Sequence, residues 1–448
     1  MNNSEALRRL YVLVTAAIIT VFETAVAIFI MNRFYNAQFR TMLYLRGHIL
    51  MAGIYIVMLI FMGRVFGGLS VGIRKNTEVV FSHFFTLLFV DFSFYVLLVL
   101  LSLKFPDPSQ LLLGALIQYA VACAIISILG NLYRRLFKPY ELLIIYGNES
   151  VNDFMSKLDT RRDRFHIRDA ISSSGSEEEL RAAIDANNTV MLVDIPAEKR
   201  NKIFKYCYEN SKRLYVMPKI SDIILNGATP INMFDTPLLF TDANPFEYEE
   251  RVIKRAWDIL FSLFLIILLS PIMLITAAAI KISDGGPVFY RQVRCTKNGR
   301  RFNILKFRSM IVDAEKAGKA MLATKNDPRI TKVGRIIRKC RIDELPQLIN
   351  VLVGDMSFVG PRPERPEFIE KYMEEMPEFS YRMKIRAGIT GYAQLYGKYN
   401  TKPYDKLKFD LYYMEQFSIG LDIKLMILTI KILFMKESTE GFSERKDA

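Results

Sequence analysis

Apolar residues along this chain gather into a few long runs separated by polar stretches. Four of them, residues 10–31, 47–66, 79–103 and 111–132, each come close to the ~20 residues that carry a helix across a bilayer. They predict a four-helix membrane bundle over residues 1–138. From Pro139 the pattern changes to short apolar stretches, "ELLIIYGNES", "TVMLVDIP" and "RLYVMP", with helical periodicity near 178–186 and 198–209 between them. Strands alternating with helices predict a small parallel sheet covered by helices. A fifth long run, 256–282, would reach ~40 Å as a straight helix, yet Ser270-Pro271 interrupts its centre. Beyond it, "DGGPVFYRQ" predicts a turn and an alternating strand, and "ILKFRSM" puts Lys306 and Arg308 on one side of an extended segment. Leu345, Leu348, Ile349 and Leu352 fall at i, i+3, i+4 and i+7, an amphipathic helix with Asp343 as its N-cap, Pro346 in its first turn and Gly354 at its end. The mixed basic and apolar segments "YDKLKFDLYYM" and "LDIKLMILTIKILFM" suit either core helices or helices lying in the membrane interface, and the second reading is preferred.

Composition supports a membrane protein of several domains: 448 residues, 51% hydrophobic, with a net charge of +14. So basic a chain meets anionic lipid, phosphorylated small molecules or nucleic acid. The membrane runs favour the first two, and no arginine-aromatic strip of the nucleic-acid-binding kind is present. The first run is too long for a signal peptide and lacks a small-residue cleavage site. Cys123, Cys207, Cys295 and Cys340 are widely spaced, which argues against a disulfide framework or a metal cluster and for a reducing compartment. Glu23 and Asp91 fall inside membrane runs and read as interhelical contacts. Arg8, Arg9, Arg64, Arg74, Lys75, Arg134, Arg135 and Lys138 on one side outnumber Arg33, Arg40, Arg46 and Lys104 on the other. This bias puts both ends of the bundle in the cytoplasm.

The strand-to-helix turn Tyr146-Gly147-Asn148-Glu149-Ser150 has one glycine where a dinucleotide fingerprint needs three, and Glu149 would repel a pyrophosphate. Residues 139–250 therefore read as a Rossmann-like domain that has lost nucleotide binding, which disfavours a nucleotide-dependent oxidoreductase. The histidines, His48, His83 and His166, all lie in the first half. Chemistry in the second half must use carboxylates, Lys, Arg, Ser, Thr or Tyr. In "RKCRIDELPQLINVLVGDMSFVGPRPE", Asp343 and Glu344 stand among Arg338, Lys339, Arg341 and Arg362. Two carboxylates among many cations suit phosphate chemistry, one attacking phosphorus while its neighbour holds Mg²⁺ against the phosphates.

At these residues the chain resembles the bacterial sugar transferases, the polyprenyl-phosphate sugar-1-phosphate transferases also called monotopic phosphoglycosyl transferases. The resemblance covers about residues 251–434 and rests on an ordered set: "KRAWD", the Ser-Pro break, "DGGPVFYRQ", "KFRSM", "DELPQLINVLVGDMSFVGPRP", "GITGYAQ" and "DLYYM". The preceding bundle and Rossmann-like domain resemble the long form of that family, which begins exopolysaccharide, capsule or O-antigen synthesis. The resemblance implies a catalytic domain over 251–448, with Asp343 as nucleophile toward the sugar-bearing phosphate of a UDP-sugar and UMP as leaving group. Glu344 would bind Mg²⁺, and polyprenyl (undecaprenyl) phosphate would accept the sugar phosphate. Lys306 and Arg338 match basic active-site positions, and Arg362 matches the Pro-Arg-Pro motif. Arg308 and Lys398 are further candidate substrate contacts. Where short members have Arg-Pro-Gly and then Asn-Gly-Arg, this chain has Arg386-Ala387-Gly388 and Tyr396-Gly397-Lys398, so sugar preference does not carry over. The alternative is an inactive scaffold or regulator of polysaccharide assembly. Self-association through the bundle is left open.

Topology bears on the fifth run. Lys254 and Arg255 precede it, and Lys281, Arg291 and Arg294 follow it. Both flanks are thus expected on the cytoplasmic face of a bacterial inner membrane. A straight crossing cannot place them so. Pro271 with the Ser270 hydroxyl predicts a re-entrant helix–break–helix over about 254–282 that anchors an α-rich α/β catalytic domain.

Overall fold

The computed structural model describes residues 3–147, 151–242, 244–312, 327–397 and 401–433. It divides into two compact units, Met1–Met217 and Pro218–Ala448, so residues 218–250 belong with the second unit.

The first unit opens with four long helices, α1 (Asn3–Ile30), α2 (Leu45–Phe66), α3 (Asn76–Ser102) and α4 (Ser109–Leu136). Each is long and apolar enough to cross a membrane. Their packed seam is apolar, with Met31, Tyr55, Leu59, Phe94 and Leu98 buried, while Leu13, Val21, Phe92 and Leu116 are exposed around it. An apolar outer surface of that kind suits lipid as the solvent. Glu23 and Asp91 make interhelical contacts. Glu23 Oε1 lies 2.5 Å from His83 Nε2, and Tyr55 donates to Asp91 at 2.8 Å. Gln118 donates to the Glu23 carbonyl and the Tyr55 hydroxyl.

The rest of the unit alternates β1 (Tyr140–Tyr146), α5 (Val151–Asp159), β2 (Phe165–Ser172), α6 (Glu177–Asp185), β3 (Thr189–Val193), α7 (Ala197–Glu209) and β4 (Arg213–Val216). The strands form one parallel sheet in the order β2-β1-β3-β4. β1 and β3 are buried throughout their centres, as covered parallel strands should be. The edge strand β2, "FHIRDAIS", is half-exposed and polar, which is why hydrophobic patterning does not single it out. Helix α6 begins with a capping box, Ser176 accepting from the Glu179 amide while Glu179 accepts from the Ser176 amide. Residues 148–150, including the lone-glycine turn's Glu149, lie outside the described residues.

The second unit begins with α8 (Ile220–Asn226) and the hairpin β5 (Thr229–Met233)–β6 (Thr236–Phe240). The long α9 (Tyr248–Asp284) follows and is the fifth helix able to cross a membrane. The interruption expected at Ser270-Pro271 does not divide it into two helices. Pro271 has no amide to give to the Ile267 carbonyl, and the Ser270 hydroxyl donates to that carbonyl instead, at 2.8 Å. Gly285, at φ 69°, ends the helix.

Next come the antiparallel pair β7 (Phe289–Cys295)–β8 (Arg301–Phe307), then α10 (Lys332–Lys339), α11 (Gln347–Val353), β9 (Ser357–Val359), α12 (Pro366–Glu375), β10 (Gly388–Thr390), α13 (Tyr392–Tyr396), α14 (Pro403–Glu415) and α15 (Ile419–Leu433). β9 and β10 pair in parallel. Helix α14 is a core helix, against the expectation that it lies in the membrane interface: Leu407, Leu411, Tyr413 and Met414 are buried with Leu348, Val351 and Phe379. Its lysines do not signal the interface, because Lys408 is itself buried beside the Tyr404 ring. The four cysteines are free thiols.

Candidate active site

Asp343 and Glu344 do not sit where a simple helix start would put them. Pro346 has no amide for the Ile342 carbonyl, so that carbonyl accepts from Leu345 at 3.1 Å. The result is a 3-10 turn over Ile342–Glu344, and α11 begins only at Gln347 with Pro346 at its cap. Asp343 is therefore part of the turn and not the N-cap. Arg341 enters the turn at φ 52°, a conformation that costs a side-chain-bearing residue energy and aims the two carboxylates together.

Two asparagine bonds seat this turn against β8. Asn350 of α11 accepts from the Leu305 amide and donates to the Asn303 carbonyl, both at 2.9 Å. β8 thereby delivers Lys306, whose ammonium donates to Glu344 Oε1 at 3.0 Å. Arg362, two residues past Gly360, comes to 3.5 Å from the same oxygen, and Arg341 to 3.9 Å from the other. The segment bearing Arg362 is fixed by two arginines: Arg382 donates to the Arg362 carbonyl at 3.1 Å and Arg294 to the Pro363 carbonyl at 3.2 Å. Buried Arg382 is in turn paired with buried Asp410 at 2.9 Å. Sequence reading did not find this supporting set, although Asp410 lies within "DLYYM" and is the only acid in that motif.

The two carboxylates are driven apart electrostatically. Burial pushes Glu344 up, but Lys306, Arg362 and Arg341 outweigh it and hold its carboxyl well below the usual range. Asp343 is raised to about 6 by burial and then by the Glu344 charge, against the pull of Lys306 and Arg338. One carboxylate is thus locked ionised among cations, and its neighbour is desolvated and more basic, a division that separates roles at one site.

Of the expected site residues, Lys306, Arg338 and Arg362 converge electrostatically on Asp343 and Glu344. Arg308 goes elsewhere: buried just past β8, it pairs with Asp284 at the end of α9. Lys398 lies outside the described residues. Ser270 and Pro271 are on α9 as above. Among the described residues no group of three or more His, Cys, Asp or Glu forms a protein-only metal cage. Two adjacent carboxylates fit Mg²⁺ all the same, since that ion commonly takes one or two carboxylates and fills its shell with water and phosphate oxygens.

The fold and site therefore define a membrane-associated protein whose carboxylate pair, ringed by Lys and Arg, is built for phosphate chemistry. A family model described as bacterial sugar transferase matches residues 249–436. The chain is 46% identical over 184 residues to a UDP-N-acetylgalactosamine-undecaprenyl-phosphate N-acetylgalactosaminephosphotransferase of Aeromonas hydrophila, covering 40% of this chain and 43% of that one. It is 40% identical over 212 residues to the UDP-glucose:undecaprenyl-phosphate glucose-1-phosphate transferase of Escherichia coli K12, covering 46% and 44%. An exopolysaccharide production protein of Rhizobium leguminosarum is 40% identical over 200 residues, which are 43% of this chain and 98% of that one. The chain belongs to the bacterial sugar transferase family. Its matches span under half the length of the first two relatives.

Proposed function

We propose that this protein transfers a sugar 1-phosphate from a UDP-sugar to undecaprenyl phosphate, the first membrane step of an exopolysaccharide, capsule or O-antigen pathway. The observation that carries the reading is the split pair: Asp343, desolvated and raised to about 6, beside Glu344, held ionised by Lys306, Arg362 and Arg341. The named activities of the Aeromonas and Escherichia coli relatives support it.

In the first step an Asp343 carboxylate oxygen attacks the sugar-bearing phosphorus. The bond from that phosphorus to the bridging oxygen breaks, and UMP leaves with the bond's electron pair. In the second step a phosphate oxygen of undecaprenyl phosphate attacks the same phosphorus. The aspartyl oxygen–phosphorus bond breaks, releasing a polyprenyl diphosphate sugar and restoring the Asp343 carboxylate. Lys306, Arg338 and Arg362 stabilise the negative charge on the transferring group, and the Asn350 bonds and the arginine network hold Lys306 and Arg362 in place before substrate arrives. Glu344, with Asp343 beside it, would hold Mg²⁺, which when bound neutralises the diphosphate. Helix α9, bent at Ser270-Pro271 without being divided, would enter and leave the membrane on the cytoplasmic side, so that Asp343 meets a soluble donor and a lipid acceptor at one interface.

The deciding experiment incubates the purified protein with a panel of UDP-sugars without acceptor. One sugar should give a stoichiometric burst of UMP and a phosphosugar adduct on the peptide containing Asp343, discharged by undecaprenyl phosphate. UMP release only when both substrates are present, with no adduct, would rule out the covalent course.

A further inference from the structure

A second concentration of positive charge lies in the same unit, away from the carboxylate pair. A cavity of about 460 Å³ opens between the start of α9, the β7–β8 turn and the strand entering β10. Six basic residues line it, and five of them fall into two groups. Lys254 is neutralised by Asp422 at 2.6 Å, and Arg255 is committed to the Val351 and Leu352 carbonyls at 2.7 and 2.9 Å. Arg251, Lys297 and Arg386 have no acidic partner among the described residues, although all three line the cavity. The lining acid, Asp258, accepts through Oδ1 from the Ser357 hydroxyl and the Phe358 amide, at 3.0 Å each, and its charge offsets part of that on Arg255.

These cations feel one another. Burial and then the charges of Arg251 and Arg386 push the Lys297 ammonium down, and burial followed by Arg386 does the same to the Arg255 guanidinium. Like charges gathered in a hollow whose one lining carboxylate is outnumbered by cations cost energy that a bound anion would recover. Two guanidinium forks and an ammonium match phosphate oxygens. The site is distinct from the catalytic pair. Arg255 marks the C-terminal end of α11, while Asp343 precedes its N-terminal end, roughly 12 Å away at 1.5 Å per residue.

The surroundings indicate where the phosphate comes from. On α9, within three turns of Arg251, Val252, Trp257 and Leu260 are exposed and apolar. Basic residues directly beside the aromatic and apolar start of a membrane helix sit at headgroup level. We infer that this cavity is a phosphate-binding site, separate from the transferase centre, and that it holds the headgroup of an anionic phospholipid. The inference rests on the membrane reading of α9 and not on the transferase reading.

Trp257, the single tryptophan of the chain, reports on the site directly. Full-length protein in neutral detergent micelles is titrated with acyl-brominated phosphatidylglycerol or phosphatidylcholine while Trp257 fluorescence is followed. Phosphatidylglycerol should quench at the lower mole fraction. Lys297→Gln should shift its curve about fivefold and Arg251→Gln with Lys297→Gln about thirtyfold, with helical circular dichroism unchanged. Arg301→Gln, an exposed position outside the cavity, should shift nothing. Coincident curves for the two lipids in the unsubstituted protein would overturn the site. Saturable binding of radiolabelled inorganic phosphate or UMP that the double variant loses, without any preference for phosphatidylglycerol, would keep a phosphate site but overturn its lipid source.

Discussion

Two polar clusters in this protein use similar residues to opposite ends. In the membrane bundle, Glu23, His83, Gln118, Tyr55 and Asp91 connect α1, α2, α3 and α4 through short bonds, with His83 the only side chain among them that can carry positive charge. In the second unit, Asp343 and Glu344 face Lys306, Arg338, Arg341 and Arg362. Both withdraw carboxylates from water, fully at Glu23 and Asp91 and in part at Asp343 and Glu344. The bundle answers its acids with neutral donors and one imidazole, which ties helices together without inviting a ligand. The second site surrounds its acids with more cations than two carboxylates neutralise, and under the proposed function a phosphate-bearing substrate would complete the balance. Surplus charge, more than burial, distinguishes a site from a tie.

Substitutions should break this contrast in order of size. Asp343→Asn should lower sugar-phosphate transfer by about 10³-fold or more, with an unchanged thermal melt; near-normal turnover would falsify the nucleophile assignment. Glu344→Gln should cost about 10²–10³-fold and shift the Mg²⁺ titration to higher concentration. An unaltered metal response would remove the metal role. In the bundle, His83→Leu should leave Glu23 without its partner and lower stability by about 3 kcal/mol, measured by thermal unfolding in detergent, while the turnover of the folded fraction stays the same. If that variant lost turnover without losing stability, the bundle cluster would be a functional site as well.

The smallest effect concerns pH. In the proposed course Asp343 must be ionised to attack, and burial with the Glu344 charge raises it to about 6. At limiting Mg²⁺, kcat/KM should therefore be level above pH 6 and fall about tenfold per unit below it. Saturating Mg²⁺ favours the ionised form and should move that limb to lower pH. A limb that stayed fixed across metal concentrations would separate the metal from the pair.

Much of the fold was legible because it depends on local pattern. Membrane helices follow from run length, β1 and β3 from short apolar runs, and α6 from the helical periodicity near 178–186. What was missed depends on partners. β2 is an edge strand with little apolar signal. Tyr413 and Leu411 make α14 a core helix only because Leu348 and Phe379 meet them from far along the chain. The start of α11 moved because a single proline amide was absent.

The candidate site divides in the same way. By itself the sequence determined that Asp343 and Glu344 are adjacent, that cations surround them in the chain, and that the second half has no histidine for the work. Adjacency is covalent and needs no fold. Only the tertiary structure decided which cations reach the pair. Lys306 arrives on a strand pinned by Asn350 and Arg362 on a segment held by Arg294 and Arg382, while Arg308, two residues beyond Lys306, is drawn off to Asp284. Side-chain charge is written in the sequence. The few ångströms over which it acts are set by packing between residues distant in the chain.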